Sequence, residues 1–317
     1  MLALPDKWIW DSWYAHDGDL YHAFFLQAPK SLDDPELRHW NVSIGHATSP
    51  DLTNWNHLGT CFQPADGPAW DDYTTWTGSV VRHDGTWHLF YTGTSRAEDG
   101  LMQRIGHATS PDLHTWQRVG DGQCLDVTRA PYELTKPPDW HDRALRDPWV
   151  MPDPQGGWLM VFTARTAGTQ DTNARGAIGL ATSPDLDTWT LQDPIFIGGF
   201  GQLEVPQVLQ ISERWICLFC TGKDHWSADA IAAHGPAVTG THYLIADDRR
   251  GPWAIAPGPF LDGSDPCKRY AARLVETPDG LRLLGFADRP QGRFEGFVTD
   301  PDPVDIGPDG LLSVRIQ

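Results

Sequence analysis

The sequence predicts an all-β chain: a five-bladed β-propeller with four antiparallel strands per blade and an active-site cavity at its centre. Three observations carry the prediction. The segment Ile105–Trp116 recurs almost unchanged at Ile44–Trp55 and Ile178–Trp189, and a worn copy, His242–Trp253, keeps the terminal Trp. Such near-identity at a regular interval marks a stacked or radial array. A second unit, a turn followed by an alternating aromatic-rich strand, occurs five times, at Asp17–Phe25, Asp84–Tyr91, Gln155–Phe162, Ser212–Phe219 and Asp279–Phe286. Asp-Gly or Gly-Gly ahead of aromatic and β-branched residues is a hairpin signal. Helical periodicity is almost absent.

Each module reads alike. An apolar strand comes first, near 8–16, 74–82, 146–152, 203–210 and 269–276, and the hairpin leads to the aromatic strand. The third strand ends in Ala-Thr-Ser-Pro-Asp, where proline stops the ladder, and the Trp opens a short fourth. In the fifth module Phe294–Asp300 is the expected third strand and Leu311–Ile316 the fourth. Radial closure protects sheet edges that an open solenoid would expose. No linker or composition break divides residues 1–317, which read as one domain. The longer loops are 28–40, 62–73, 120–144 and 222–240, the third expected to cover one mouth of the central channel.

Charge narrows the partners. With 24 basic and 42 acidic residues the net charge is −18, which argues against nucleic-acid phosphate and an anionic membrane surface and suits a neutral substrate. The 16 Trp can stack on sugar faces but also fill β cores. Five Cys form no paired framework, and Cys217-x-x-Cys220 lies on an apolar strand without a second pair, so no zinc or redox site is read there. Met1–Trp10 lacks the pattern of a secretion signal and no apolar run approaches membrane-spanning length, so a cytoplasmic location is expected.

In a propeller the first strand of each blade lines the axis, and a carboxylate there is costly unless paired or hydrated. Asp11, Asp147 and Glu204 fall on three such strands, and the repeat register puts all three at equivalent positions around one cavity. Glycosidic cleavage needs an acid for the leaving oxygen and a second carboxylate that attacks the sugar or activates water. Like charges a few ångströms apart split the pKa values. Arg146, adjacent to Asp147, is expected to keep Asp147 ionised, while Glu204, with no adjacent cation, is the better acid. Asp17, Asp51, Asp84, Asp112 and Asp185 sit in turn motifs and read as turn closers. His46 and His107 read as blade-packing residues; His141, His225 and His234 lie in loops, where one near the axis could hold an ion or water.

These residues carry a family resemblance. Trp10-Asp11-Ser12-Trp13 resembles the nucleophile motif Trp-Asp-Ser-Trp of glycoside hydrolase family 68, and the chain lacks the Asn-Asp-Pro-Asn-Gly that family 32 has there. Trp76-Thr77-Gly78-Ser79 resembles the Trp-Ser-Gly-Ser of both families, and Arg146-Asp147-Pro148 is their shared Arg-Asp-Pro. Glu204-Val205-Pro206 stands where family 32 has Glu-Cys-Pro, and Tyr270-Ala271-Ala272-Arg273 with Gly285-Phe286 is similar to its blade-five pattern. Family 43 is more distant. The resemblance implies a retaining glycosidase acting on β-fructofuranosides such as sucrose or short fructo-oligosaccharides, with water or another sugar as acceptor. It makes Asp11 the nucleophile, Asp147 the transition-state stabiliser and Glu204 the acid/base. Trp10, Trp13 and Trp76 are expected as pocket walls, Arg146 and Ser79 as hydroxyl binders, and Tyr270 as a further substrate contact. It implies no cofactor and no metal, and the chain is expected to lack the C-terminal β-sandwich usual in family 32. The rivals are an inverting pentosidase of the family 43 type and a non-catalytic sugar-binding propeller.

Overall fold

In the computed structural model, which describes residues 1–168 and 170–315, the chain forms five antiparallel sheets around an axis. The first strands of the blades are Lys7–His16, Thr74–His83, Leu145–Pro152, Glu204–Ile211 and Arg269–Thr277. Each pairs with a nearly solid apolar second strand, such as Tyr21–Pro29 or Trp158–Arg165, buried because both of its faces meet neighbouring blades. Four sheets have four strands, and the fourth blade adds a fifth, Asp262–Ser264, on the edge of Thr239–Ala246. Near the N-terminus, Leu2 bridges Val298 of the last blade and the Ile9 N–H reaches the Gly296 carbonyl at 2.8 Å, closing the ring.

The repeats build the seams. In each turn the aspartate accepts two backbone N–H groups: Asp51 from Thr53 and Asn54, Asp112 from His114 and Thr115, Asp185 from Asp187 and Thr188. The following Leu52, Leu113 and Leu186 take φ of 62°, 67° and 71° and are buried. His46 stacks on Phe24 at 4.6 Å and His107 on Phe90 at 4.5 Å. Each ring nitrogen chain continues within its blade, His46 to His22 and His107 to His88, both at 2.9 Å. The terminal Trp crosses to the preceding blade: Trp116 meets Phe24 edge-on at 5.8 Å and Trp189 meets Phe90 at 5.5 Å. These repeat-closing Trp serve the packing between blades.

Two expectations are corrected. The third strand of blade five is Asp302–Ile306, not Phe294–Asp300, and the fourth is Leu312–Val314, with Ile316 of the expected strand outside the described residues. Part of the earlier segment instead lies along Gly280–Ala287, the Ala287 N–H on the Phe297 carbonyl at 2.8 Å, and serves the closure at Leu2. The 120–144 segment does not cover the channel: it begins as strand Gln117–Leu125, and its middle packs on blade three, Tyr132 donating to the Gln192 carbonyl at 2.9 Å. Only His141 and Asp142 near its end reach the cavity.

Candidate active site

Every first strand carries a register break at the same level. The pairing skips between Trp10 and Ser12, between Trp76 and Gly78, between Arg146 and Trp149, between Glu204 and Gln207, and between Tyr270 and Arg273. These are β-bulges, which turn a side chain out of the strand's alternation. Backbone φ is positive at Asp11 (20°), Asp147 (57°), Val205 (53°) and Ala271 (47°). Positive φ in residues other than glycine is costly, and its recurrence at one level of four blades marks a built feature.

The bulges produce two rings around a cavity of about 570 Å³. Trp10, Trp76, Arg146, Glu204 and Tyr270, the residues before the bulge, form one; Asp11, Thr77, Asp147 and Val205 at the bulge form the other. All three predicted carboxylates therefore meet in one cavity, but not from equivalent positions. Asp11 and Asp147 are bulge residues, and Glu204 stands one residue earlier, in register with Arg146.

Hydrogen bonds fix each carboxylate. Thr77 donates its hydroxyl to Asp11. Asp147 Oδ2 accepts from Thr163 Oγ1 at 2.9 Å and from the Val205 N–H at 3.1 Å. Glu204 Oε1 accepts from Arg146 Nη2 at 2.8 Å and its Oε2 from the Tyr270 hydroxyl at 2.5 Å. Arg146 Nε lies farther from Asp147, at 3.5 Å. The cation that adjacency in sequence assigns to Asp147 thus belongs mainly to Glu204.

Electrostatics follow the geometry. Burial, with the Asp147 carboxylate nearby, pushes Asp11 up to about 7 against the Thr77 hydrogen bond. Burial also raises Asp147, with Arg146 opposing it. Burial would raise Glu204 too, but Arg146 and the Tyr270 hydroxyl outweigh it and hold it below the ordinary carboxylate range. In the free protein the proton therefore rests more readily on Asp11 than on Glu204, the reverse of the sequence expectation.

Two expected contacts lie elsewhere. Trp13 is buried on the far side of its bulge, stacked on Phe24 at 6.2 Å, because the extra residue at Asp11 breaks the alternation that would have pointed it inward. Ser79 is buried between blades and accepts the Val150 N–H at 3.3 Å. Sequence reasoning missed Arg38, His39 and Trp40, which a 3-10 helix, Pro35–Trp40, brings to the rim. The Trp76 indole N–H fastens that helix through the His39 carbonyl at 2.9 Å, and Arg38 lies over the Phe294 ring at 4.0 Å. Gln103, Asp142, Gln202 and Asp288 also line the cavity, as do His141 and His225. A charged and aromatic cluster, Arg-His-Trp, in a long loop was the available signal for the rim helix. Among the described residues no three His, Cys, Asp or Glu side chains gather as metal ligands, and no helix is long and apolar enough to cross a membrane.

Residues 9–287 match the model of the glycosyl hydrolases family 32 N-terminal domain. The chain is 28% identical to raffinose invertase of Escherichia coli over 71% of its length and 42% of that protein. It is 29% identical to sucrose-6-phosphate hydrolase of Bacillus subtilis, over 83% of this chain and 51% of the relative. It thus spans about half the length of the curated relatives it matches. An inulosucrase from Halalkalicoccus jeotgali, solved with kestose, superposes with a TM-score of 0.79 at 21% identity, covering 99% of this chain and 90% of that one. Bacillus subtilis levansucrase gives 0.75 at 17% identity, with 98% and 86% covered. These likenesses share the propeller fold, and the match over nearly the whole chain places the protein in glycosyl hydrolase family 32.

Proposed function

We propose that the protein is a retaining glycosidase that cleaves β-fructofuranosides such as sucrose and short fructo-oligosaccharides. The observation that carries the reading is the meeting of Asp11, Asp147 and Glu204, from three blades, in one cavity of about 570 Å³. Asp11 attacks the anomeric carbon while Glu204 protonates the leaving oxygen; Glu204 then takes a proton from water, or from an acceptor sugar, as the fructosyl–Asp11 ester breaks. Asp147, held by Thr163 and Val205, is placed to accept hydrogen bonds from sugar hydroxyls that strengthen in the transition state.

The productive charge state has Asp11 ionised and Glu204 protonated, and the free protein favours the opposite arrangement. A sugar that draws the Tyr270 hydroxyl or Arg146 onto itself releases Glu204 upward, so binding prepares the acid. The names of the matched relatives, an invertase and sucrose-6-phosphate hydrolases, support a fructoside substrate. Among the described lining residues the Arg and Lys cations are Arg38, which lies on aromatic faces, and Arg146, already engaged by Glu204, while Asp142 and Asp288 add negative charge. A neutral sugar suits this wall better than a phosphorylated one. The five unpaired thiols speak for a reducing compartment and so for the cytoplasm.

The test is incubation with sucrose, kestose, inulin, sucrose-6-phosphate and aryl arabinosides and xylosides, with product analysis and proton NMR of the first anomer formed. Fructose release from the neutral fructosides with retained configuration is expected. Inversion would give the site to a pentosidase-type mechanism, and no release from any substrate would leave a binding protein.

A further inference from the structure

Arg273 is a buried cation that the reaction as drawn leaves unused. It lies on the first strand of blade five, just past the bulge at Ala271, and is 1% exposed. Its Nη1 donates to the Val205 carbonyl at 3.2 Å and to the Pro206 carbonyl at 2.6 Å. Val205 is the bulge residue of blade four, at φ 53°, and its own N–H is the one that reaches Asp147. One guanidinium therefore clamps the backbone immediately after Glu204 and after the N–H that holds Asp147. Arg273 Nε and Nη2 have no hydrogen-bond partner among the described residues.

The position along the axis matters as much as the clamp. A second cavity of about 230 Å³ lies below, lined by Trp13, Tyr14, Trp149, Gln207 and Arg273, and shares none of its lining residues with the upper one. Arg273 is thus on the channel floor, with the carboxylates of blades one and three above it and the Trp149 ring 5.3 Å from the guanidinium. An arginine that made an ordinary ion pair would spend its charge on one partner. This one bonds carbonyls, and its charge stays available to Asp11 and Asp147 together. Leaving it unpaired in a dry site has a cost: burial lowers Arg273 to about 10, with Asp147 and Asp11 holding it charged.

We propose that Arg273 is a positioning residue, whose clamp on Val205 and Pro206 sets the blade-four bulge and whose charge, beneath Asp11 and Asp147, opposes protonation of Asp11. The inference rests on the reading of the three carboxylates as a glycosidase centre. The groups that face this region are Asp11 and Tyr14 from blade one, Arg146 and Asp147 from blade three, Glu204, Cys217 and Cys220 from blade four and Tyr270 from blade five; Arg38 from the rim helix also acts on Asp11. The thiols are neutral at working pH because burial raises both. Among the described groups, Arg273 is the one cation that acts on Asp11 from the channel floor.

The two functions separate by substitution. Arg273→Gln keeps a donor and removes the charge; Arg273→Lys keeps a cation, but its ammonium is one bond shorter and draws the donor away from the two carbonyls that Nη1 holds. For kcat/KM on sucrose against pH, the Gln variant is expected to lose about 100-fold at pH 7, with its alkaline limb, which reports Asp11, about one unit higher than the parent's. The Lys variant keeps the parental limb and loses about tenfold in kcat with KM little changed. A Gln variant that lowers Tm but leaves the limb in place, or a Lys variant with parental kcat, overturns the proposal. If the Gln variant does not fold, the Lys variant decides alone: reduced kcat with an unmoved limb supports it, and parental kcat refutes it. Failure of the underlying reading looks different, because the parent itself would then release no fructose.

Discussion

The outer repeats and the inner bulges are both periodic, and they use periodicity for opposite ends. At the seams, Leu52, Leu113 and Leu186, with the stacked His46 and His107, do the same job in each copy, so the sequence repeats. At the axis the backbone repeats while the side chains differ: Asp11, Thr77, Asp147, Val205 and Ala271 occupy one bulge position in five blades. A repeated backbone device with varied side chains lets one fold present different groups, Asp11, Thr77, Asp147 and Val205, to one cavity. Substitutions at the two levels should therefore fail in different ways.

The largest expected contrast is Asp11→Asn. Loss of the nucleophile should lower kcat/KM on sucrose by about 10⁴-fold or more. Its effect on stability runs the other way. Because the folded pKa of Asp11 is raised to about 7, folding loses stability as pH rises from the unfolded value through 7, and that loss is complete above it. The amide carries no such penalty, so Tm at pH 8 should rise by about 2–4 °C. A fall in Tm would show that the ionised carboxylate is structural. At the seam, Leu113→Ala should do the reverse, costing about 2–5 kcal/mol in denaturant unfolding while the folded fraction keeps its kcat/KM.

The histidines give an intermediate effect. Burial lowers both His46 and His107 to about 3. Above pH 6.5 they are neutral in the folded and unfolded chain alike. As pH falls below 6.5 the unfolded chain takes up protons that the folded seam refuses, so stability should drop progressively toward pH 3. Replacing both by Asn should lower Tm at pH 7.5 and flatten its slope between pH 6.5 and 4. An unchanged slope would assign the acid sensitivity to the carboxylates.

The same contrast explains what could be read from the chain. Repeats and hairpin turns made the five blades legible, because identical seams leave identical sequence. The meeting of Asp11, Asp147 and Glu204 was legible too, since carboxylates stand out in apolar strands. Their relative level was not, because a bulge inserts one residue and sends every later side chain to the other face. That slip takes Trp13 and Ser79 out of the cavity and puts Glu204 level with Arg146 instead of Asp147. Charge pairing was misread for a related reason: adjacency in sequence placed Arg146 on Asp147, whereas neighbouring blades place it on Glu204 at 2.8 Å. The rim helix Pro35–Trp40 left no periodic trace, being a short 3-10 turn fastened by side chains such as the Trp76 indole N–H and Arg38 over Phe294.

The smallest prediction compares one hydrogen-bond acceptor at the seam with one donor at the axis. Asp112→Ala removes the acceptor of two exposed backbone N–H groups, which water can replace, so the cost should be about 1 kcal/mol with no change in the pH profile. Thr77→Val removes a single hydroxyl, nearly isosterically, from a site where water is scarce. That hydroxyl stabilises the ionised form of Asp11, so its loss raises the Asp11 pKa and moves the alkaline limb of kcat/KM, which reports Asp11, upward by about half a unit, with a smaller change in Tm than Asp112→Ala produces. If both variants shift Tm and neither shifts the limb, the Thr77 bond holds blades together and the bulge ring is scaffold like the seams. A moved limb with a steady Tm means that blade two contributes to the chemistry through a group that carries no charge.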